Sequence, residues 1–470
     1  MTDQPGGSRL AGSDAGFLFV ETATMTSSCL DLTILTPAED GAPPVTLDEL
    51  RAHVAARLPV LPSWRWRLAP VPGGIHHPMW VEDPDFDLDH HLRETTLPAP
   101  GGDAEFDDLF RTLLPQCLDL RHPLWQLLLV HGLAGDRQAI IFRFHHTIAD
   151  GAALITTIDR LFGPAPEGAA DPAPWHPAPV RRRRLLADAL REQARNWRAA
   201  PAATKEILAR FKAVEARRAE AEVDVPLSMN GAPWTVLNRA SSAERTFART
   251  TLPLADLQAV RKAAGVPLSD VLLTVVAGAL RAYLGRRDQL PDGPLVVNVP
   301  VANDPPGAPP RQHGNRFANF FAYLATDEAD PRARLTAVAA ATAEAKVQLE
   351  VLGRSTLPDW LDRIPPVAAR PLALRMNRAH LRTHRADFNV LVSNVRTDGS
   401  AWRLGGHAVE HLWMSGPPAD AAGLNITITG FGDDAHIAIV AVSTALDRPD
   451  ELAEDLRAAL DELRAAVGVA

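Results

Sequence analysis

At 470 residues the chain is too long for one ordinary core and points to two or three domains. Its 46% hydrophobic and 22% charged residues are those of a globular protein and exclude wholesale disorder. The 48 basic against 57 acidic side chains leave a net charge of −9, which excludes a general nucleic-acid binder needing a basic surplus against phosphates.

In chain order, residues 1–16 lack a basic-then-apolar leader, and no apolar run approaches the roughly 20 residues that span a bilayer. A cytoplasmic protein is expected, with peripheral contact at the inner membrane or at lipid droplets left open. Residues 31–35 read as a strand and 46–58 as a helix. Two β-branched apolar runs, 126–131 and 138–144, read as strands joined across Gly135-Asp136, a hairpin signal. A helix follows over 151–162, with Leu154, Ile155, Ile158, Leu161 and Phe162 on one face. Residues 163–179, rich in proline and alanine, read as an extended linker. A charged helical stretch over 181–222 is expected to be interrupted at Pro201. Strands are expected at 244–251, 295–301, 388–395, 425–431 and 436–443. Helices are expected at 269–284, nearly all apolar and hence buried, at 330–352, and at 450–467.

The chemistry concentrates where the strand ending at Phe144 crosses to the helix opening at Gly151, in His145-His146-Thr147-Ile148-Ala149-Asp150-Gly151. A neutral imidazole at such a crossing can take a proton from a hydroxyl. Asp150 either orients its surroundings or caps the helix, and both roles can coexist. Gly151 permits tight packing or a positive φ. The further doublets His76-His77 and His90-His91 read as structural. Metal spacings such as HExxH are absent, so no metal site is expected. Cys29 and Cys117 lack a CxxC partner and any evident activation, which excludes a disulfide framework and makes an acyl-enzyme unnecessary.

HHTIADG fits the HHxxxDG signature of the chloramphenicol acetyltransferase-like superfamily. Ser13-Asp14-Ala15-Gly16-Phe17-Leu18, Trp80-Val81-Glu82-Asp83 with Phe86-Asp87-Leu88, Pro123-Leu124-Trp125, Gly314-Asn315-Arg316, Phe388-Asn389 to Ser393-Asn394-Val395, and Gly423-Leu424-Asn425-Ile426-Thr427 follow in order. Together they resemble the bacterial wax ester synthase/diacylglycerol acyltransferase family, from about Gly12 to the C-terminus. The family's Asn-Asp stands here as Ser269-Asp270, and its Pro-Gly-Pro after Ser-Asn-Val as Arg396-Thr397-Asp398.

The resemblance implies an α/β fold of two chloramphenicol acetyltransferase-like domains, mixed sheets flanked by helices, with a tunnel at their interface. The divisions expected are 1–163, carrying the histidines; 164–240, a linker and charged connector; and 241–470. It implies acyl-CoA as co-substrate, no bound cofactor, and a long-chain alcohol or diacylglycerol as acceptor. A different alcohol or amine acceptor, a carrier-protein donor and a non-catalytic lipid-binding role are the alternatives. His146 is then the general base, with His145, Asp150 and Gly151 beside it and Asp150 mainly structural. Ser393 and Asn394 are candidate donors to the oxyanion. Asn298, Ser269 and Asp270 are further substrate-side candidates. Arg181-Arg182-Arg183-Arg184 reads as a solvated helix start, an anionic lipid contact, or a CoA-phosphate contact.

Overall fold

The computed structural model describes residues 8–37, 41, 43–164, 181–226 and 231–469. The expected linker falls almost wholly outside the described residues. Among them the chain forms two six-stranded mixed sheets and one small three-stranded sheet, with helices packed against them.

The N-terminal sheet runs Arg403–Leu404, His407–Trp413, Ser28–Leu35, Arg137–His145, Trp125–Leu133, Leu92–Thr96. Its last pair is parallel and the others antiparallel. The hairpin turns where expected, with both Gly135 (φ +75°) and Asp136 (φ +55°) left-handed. The helix Gly151–Phe162 buries Ala153, Leu154, Thr157, Ile158, Leu161 and Phe162. Each of the large apolar residues there is worth roughly 1.5–3 kcal/mol of burial.

The C-terminal sheet runs Phe317–Tyr323, Val296–Ala302, Val390–Arg396, Leu424–Phe431, Asp434–Val442, Arg245–Pro253. Val390–Arg396 is parallel to both neighbours. The helix Leu268–Gly285 fills the core behind this sheet. It is long and apolar enough to cross a membrane, yet 72% of that stretch is buried within the protein.

The sheets cross the expected division at 241, and one expectation, the interruption at Pro201, needs correction. Residues 241–470 do not keep all their strands in their own sheet, because Arg403–Leu404 and His407–Trp413 complete the N-terminal one. The edge of Ser28–Leu35 would otherwise expose a ladder of unpaired backbone groups. And Pro201 does not interrupt the charged stretch, which is one helix over Arg182–Glu220. Pro201 removes a single intrahelical bond. Around it the helix is wet, Trp197 being 70% exposed, so water can serve the freed carbonyl.

Candidate active site

The loop after Arg137–His145 is pinned from both halves of the molecule. His146 N donates to Ser27 O (2.8 Å) and the Thr147 hydroxyl to Asp14 O (2.8 Å). From the C-terminal half, Gly314 N donates to Ile148 O (2.7 Å). His145 ends its strand wholly buried, its Nδ1 accepting from Thr147 N (3.1 Å) and its Nε2 3.4 Å from Glu21 Oε2. It is a strut of the loop rather than an open reactive group.

His146 is half-buried. Phe17, from the helix Gly12–Val20, lies flat on its imidazole with centroids 4.1 Å apart and planes 12° apart. Phe317 stands edgewise at 6.4 Å. Asn315 holds the residue twice. Its Nδ2 donates to the His146 carbonyl (2.9 Å), so its Oδ1 is the atom left facing His146 Nδ1 at 3.1 Å. An amide oxygen only accepts, so Nδ1 must carry the proton. The lone pair is thereby fixed on Nε2. Burial pushes the imidazole below its ordinary 6.5, against the raising effects of its own carbonyl, Asp150 and Asn315. The ring is therefore neutral and basic at pH 7.

Asn315 is itself anchored, its N–H donating to Asp14 Oδ1 (3.2 Å). Burial raises the Asp14 carboxyl to about 7. Asp150 caps the helix by accepting from Ala153 N (3.0 Å). Its other oxygen binds Arg311 and accepts from Arg316 N (2.7 Å). Asp150 thus bolts the histidine loop to residues 311–316 and does not touch the ring of His146. Gly151 has no left-handed φ; its place is one of close approach, since a Cβ there would lie 2.6 Å from Val395 Cγ2.

Residues 10–272 match the wax ester synthase/diacylglycerol acyltransferase catalytic domain, and 313–464 match the C-terminal domain of the same family. The chain belongs to the wax ester synthase/diacylglycerol acyltransferase family. It is therefore an acyltransferase. A Mycobacterium tuberculosis H37Rv protein, Rv3087, provisionally named a diacylglycerol O-acyltransferase, is 33% identical over 466 residues, 97% of each chain. A second, Rv0221, is 31% identical over 98% of this chain and 97% of its own. The solved wax ester synthase/diacylglycerol acyltransferase of Marinobacter aquaeolei VT8 shares the fold, with TM-score 0.67 at 24% identity over 98% of this chain and all of its own. A starter condensation domain of rhizomide synthetase shares it too (TM-score 0.59, 15% identity, 98% and 94% covered).

The other residues singled out in this family member separate into two groups. Asn298, Leu391, Ser393 and Val395 lie on one face of the C-terminal sheet, through the pairing Leu391↔Asn298 and the alternation of the strand. That face meets Gly151 through Val395. Ser393 is half-buried on it, and Asn298 is buried with an Oδ1 that lacks a hydrogen-bond partner. Asn394 points the other way and is exposed. Ser269 and Asp270 are not brought to His146. Ser269 Oγ donates to Asp270 Oδ1 (3.1 Å), and Asp270 faces Lys346 at 3.6 Å within the C-terminal half.

Among the described residues no group of three or more His, Cys, Asp or Glu side chains could hold a metal. A cavity of about 290 Å³ lined by Arg137, Arg249 and Trp413 lies at the other end of Arg137–His145 and is no part of this site. The site residues that sequence reasoning missed are Phe17, Asp14, Arg311 and Phe317, and the role of Asn315. Asp14, Phe17 and Asn315 stood inside quoted motifs, but nothing local in the sequence pairs them with a histidine 130 to 170 positions away.

Proposed function

We propose that the protein transfers a fatty acyl group from acyl-CoA to a long-chain alcohol or diacylglycerol, with His146 as general base. His146 Nε2 takes the proton of the acceptor hydroxyl as its oxygen bonds to the thioester carbonyl carbon. The carbonyl π electrons move onto oxygen, and this oxyanion needs donors; Ser393 is the candidate on the facing sheet. Collapse re-forms the C=O and breaks the C–S bond, and the protonated imidazole returns its proton to the departing thiolate. The products are an ester and free CoA, and no acyl-enzyme or metal enters the balance. The buried thiol of Cys29, pushed well above its ordinary value by burial, is a poor nucleophile.

The observation that carries the reading is the Asn315 clamp, which commits the Nδ1 proton and leaves the Nε2 lone pair free. Phe17 and Phe317 pack on the His146 ring and on each other, an aromatic flank whose apolar character suits a lipid acceptor. Peripheral contact with a lipid surface belongs to the same reading, because a lipophilic acceptor resides there. Purified protein given acyl-CoA and a panel of long-chain alcohols, diacylglycerols and amines should release free thiol and form ester. His146→Ala should lower the rate at least about a hundredfold. Thiol release only from carrier-bound acyl groups, only with amines, or at an unchanged rate in His146→Ala would overturn the assignment.

A further inference from the structure

The surroundings of the His146 ring are unequal. Its Nδ1 faces Asn315 Oδ1 at 3.1 Å. One flat face is covered by Phe17, with centroids 4.1 Å and planes 12° apart. Phe317 stands off both rings at 6.4 Å. A hydrogen bond at Nδ1 fixes the proton, yet leaves the imidazole able to rock about that bond. A phenyl ring lying flat against it blocks that motion, because tilting the imidazole would drive its edge into the phenyl face.

Phe17 is itself pinned to the histidine loop. Its carbonyl accepts from Ser27 Oγ (2.7 Å), and the carbonyl of Ser27 accepts from His146 N (2.8 Å). One buried serine therefore sets the backbone of Phe17 against the backbone of His146. The Ser27 N–H is in turn taken by Glu21 Oε1 (3.1 Å). At the other end of the helix Gly12–Val20, Gly12 N donates to Asp362 Oδ1, and a Cβ at Gly12 would overlap the backbone of Leu361 and Asp362. The helix is seated at both ends, so Phe17 cannot withdraw from the imidazole without breaking one of these contacts.

We infer that Phe17 is a positioning residue for the base: it locks the orientation of the His146 ring and keeps water off one face, with Ser27 as its pin. The inference deepens the proposed function and rests on it only for the consequence in turnover. Removing the phenyl ring unlocks the imidazole and costs productive alignment. It also admits water, which eases the penalty on the charged ring. The pKa of His146, which burial holds below 6.5, then rises towards that value. A phenyl face also favours a cation, and its loss acts the other way. Burial is nevertheless the strongest influence on this ring and prevails over the raising effects of its own carbonyl, Asp150 and Asn315. The titratable and charged groups around it are His145 and Asp150 on its own loop, Asp14 on the helix of Phe17, and Arg311 and Arg316 on the Asn315 segment. A substitution at Phe17 removes none of them.

Turnover of a short-chain acyl-CoA with short and long alcohols is measured against pH for wild type, Phe17→Ala, Phe17→Leu, Phe17→Tyr and Ser27→Ala, with melting curves to verify folding. Magnetic resonance of isotope-labelled histidine titrates the His146 ring in each, its signals assigned by their absence from His146→Ala. Phe17→Ala should lose kcat on the order of 10- to 100-fold, with KM for the short alcohol within about threefold. Its ring titration and its acid limb should both move up in pH. Phe17→Leu keeps apolar cover without the flat contact, so kcat should fall while the acid limb moves less. Phe17→Tyr keeps the flat ring and should stay within about threefold of wild type. Ser27→Ala should move in the same sense as Phe17→Ala by a smaller amount, and with Phe17→Leu it carries the test if Phe17→Ala does not fold. A folded Phe17→Ala with kcat within about threefold of wild type, or with an unmoved His146 titration, would overturn the inference. So would a loss confined to KM for long alcohols, which would make Phe17 a wall for the chain. A wild-type rate in His146→Ala would instead remove the general-base reading, while the ring titration still decides the stack.

Discussion

Asn315→Leu removes both contacts that Asn315 makes with His146 while keeping the side chain's bulk. The carbonyl of His146 loses the 2.9 Å donor and Nδ1 loses its 3.1 Å acceptor. Each bond contributes about 1 kcal/mol net, and a buried group left unmet costs about 1–3 kcal/mol. With Nδ1 no longer committed to the proton, the ring populates the other tautomer, in which Nε2 carries the hydrogen and cannot act as base. A loss in kcat on the order of 10- to 100-fold follows, with KM within about threefold, because the acceptor's binding surface is not removed. The acid limb gives a second, independent reading. On the proposed mechanism catalysis needs neutral His146, so kcat should fall as pH drops through the imidazole pKa. Burial already holds that value below 6.5, and the Asn315 oxygen acts against burial by favouring the charged ring. Asn315→Leu must therefore move the acid limb to still lower pH while lowering the plateau. The assay is kcat against pH for wild type and variant, with circular dichroism to verify folding. A folded variant whose plateau stays within about threefold of wild type, or whose acid limb stays put, refutes the clamp.

Gly151→Ala puts a Cβ 2.6 Å from Val395 Cγ2, so it should cost about 1–3 kcal/mol in urea unfolding, and V395A should restore most of that loss in the double variant. Asp14 has a folded value of about 7 against an ordinary 3.8, so it holds its proton more tightly when folded. Its contribution is intact below pH 3.8 and is lost as pH rises towards 7. Asp14→Asn should therefore gain up to about 4 kcal/mol over wild type at pH 8 and nothing at pH 3.5, read from denaturation midpoints; equal gains at both would refute the assignment. Burial holds His76, His91, His313 and His436 at about 4, so each contributes stability present above 6.5 and lost as pH falls towards 4. His313 sits between Trp66 and Trp80, and His313→Phe should flatten the acid limb of stability by about 1.4 kcal/mol per pH unit; an unchanged slope would refute it.

Elements whose burial pattern is complete within the segment were legible. The helix Gly151–Phe162 has its apolar face and its cap in sequence, and the hairpin carries its turn residues. The long helix Leu268–Gly285 could be read as core because its stretch 271–280 carries no charged residue and is apolar but for Thr274 and Gly278. The strands Phe317–Tyr323 and His407–Trp413 were not found. The first carries aromatics on an edge, and the second mixes His407, Glu410 and His411 with Val409 and Trp413. Its membership of the other half's sheet is a decision of tertiary pairing, which leaves no local periodicity. Pro201 misled for a related reason: a proline's cost is local, while the helix around it extends for 39 residues.

The same division explains the site. A candidate base can be named from sequence when its motif is contiguous, and His145 to Gly151 is. What would make that candidate usable as a base is not contiguous. The proton on His146 Nδ1 is decided by Asn315, Asn315 is held by Asp14, and Asp150 reaches across to Arg311. Each of these links joins the N-terminal half to the segment 311–316. The imidazole is thus set only when the halves are together, and a chain opened at that seam would keep its motif and lose its tautomer. That dependence accounts for an aspartate that touches no reacting atom: freeing Asp150 from Arg311 loosens the seam, and the histidine two hydrogen bonds away loses its orientation with it.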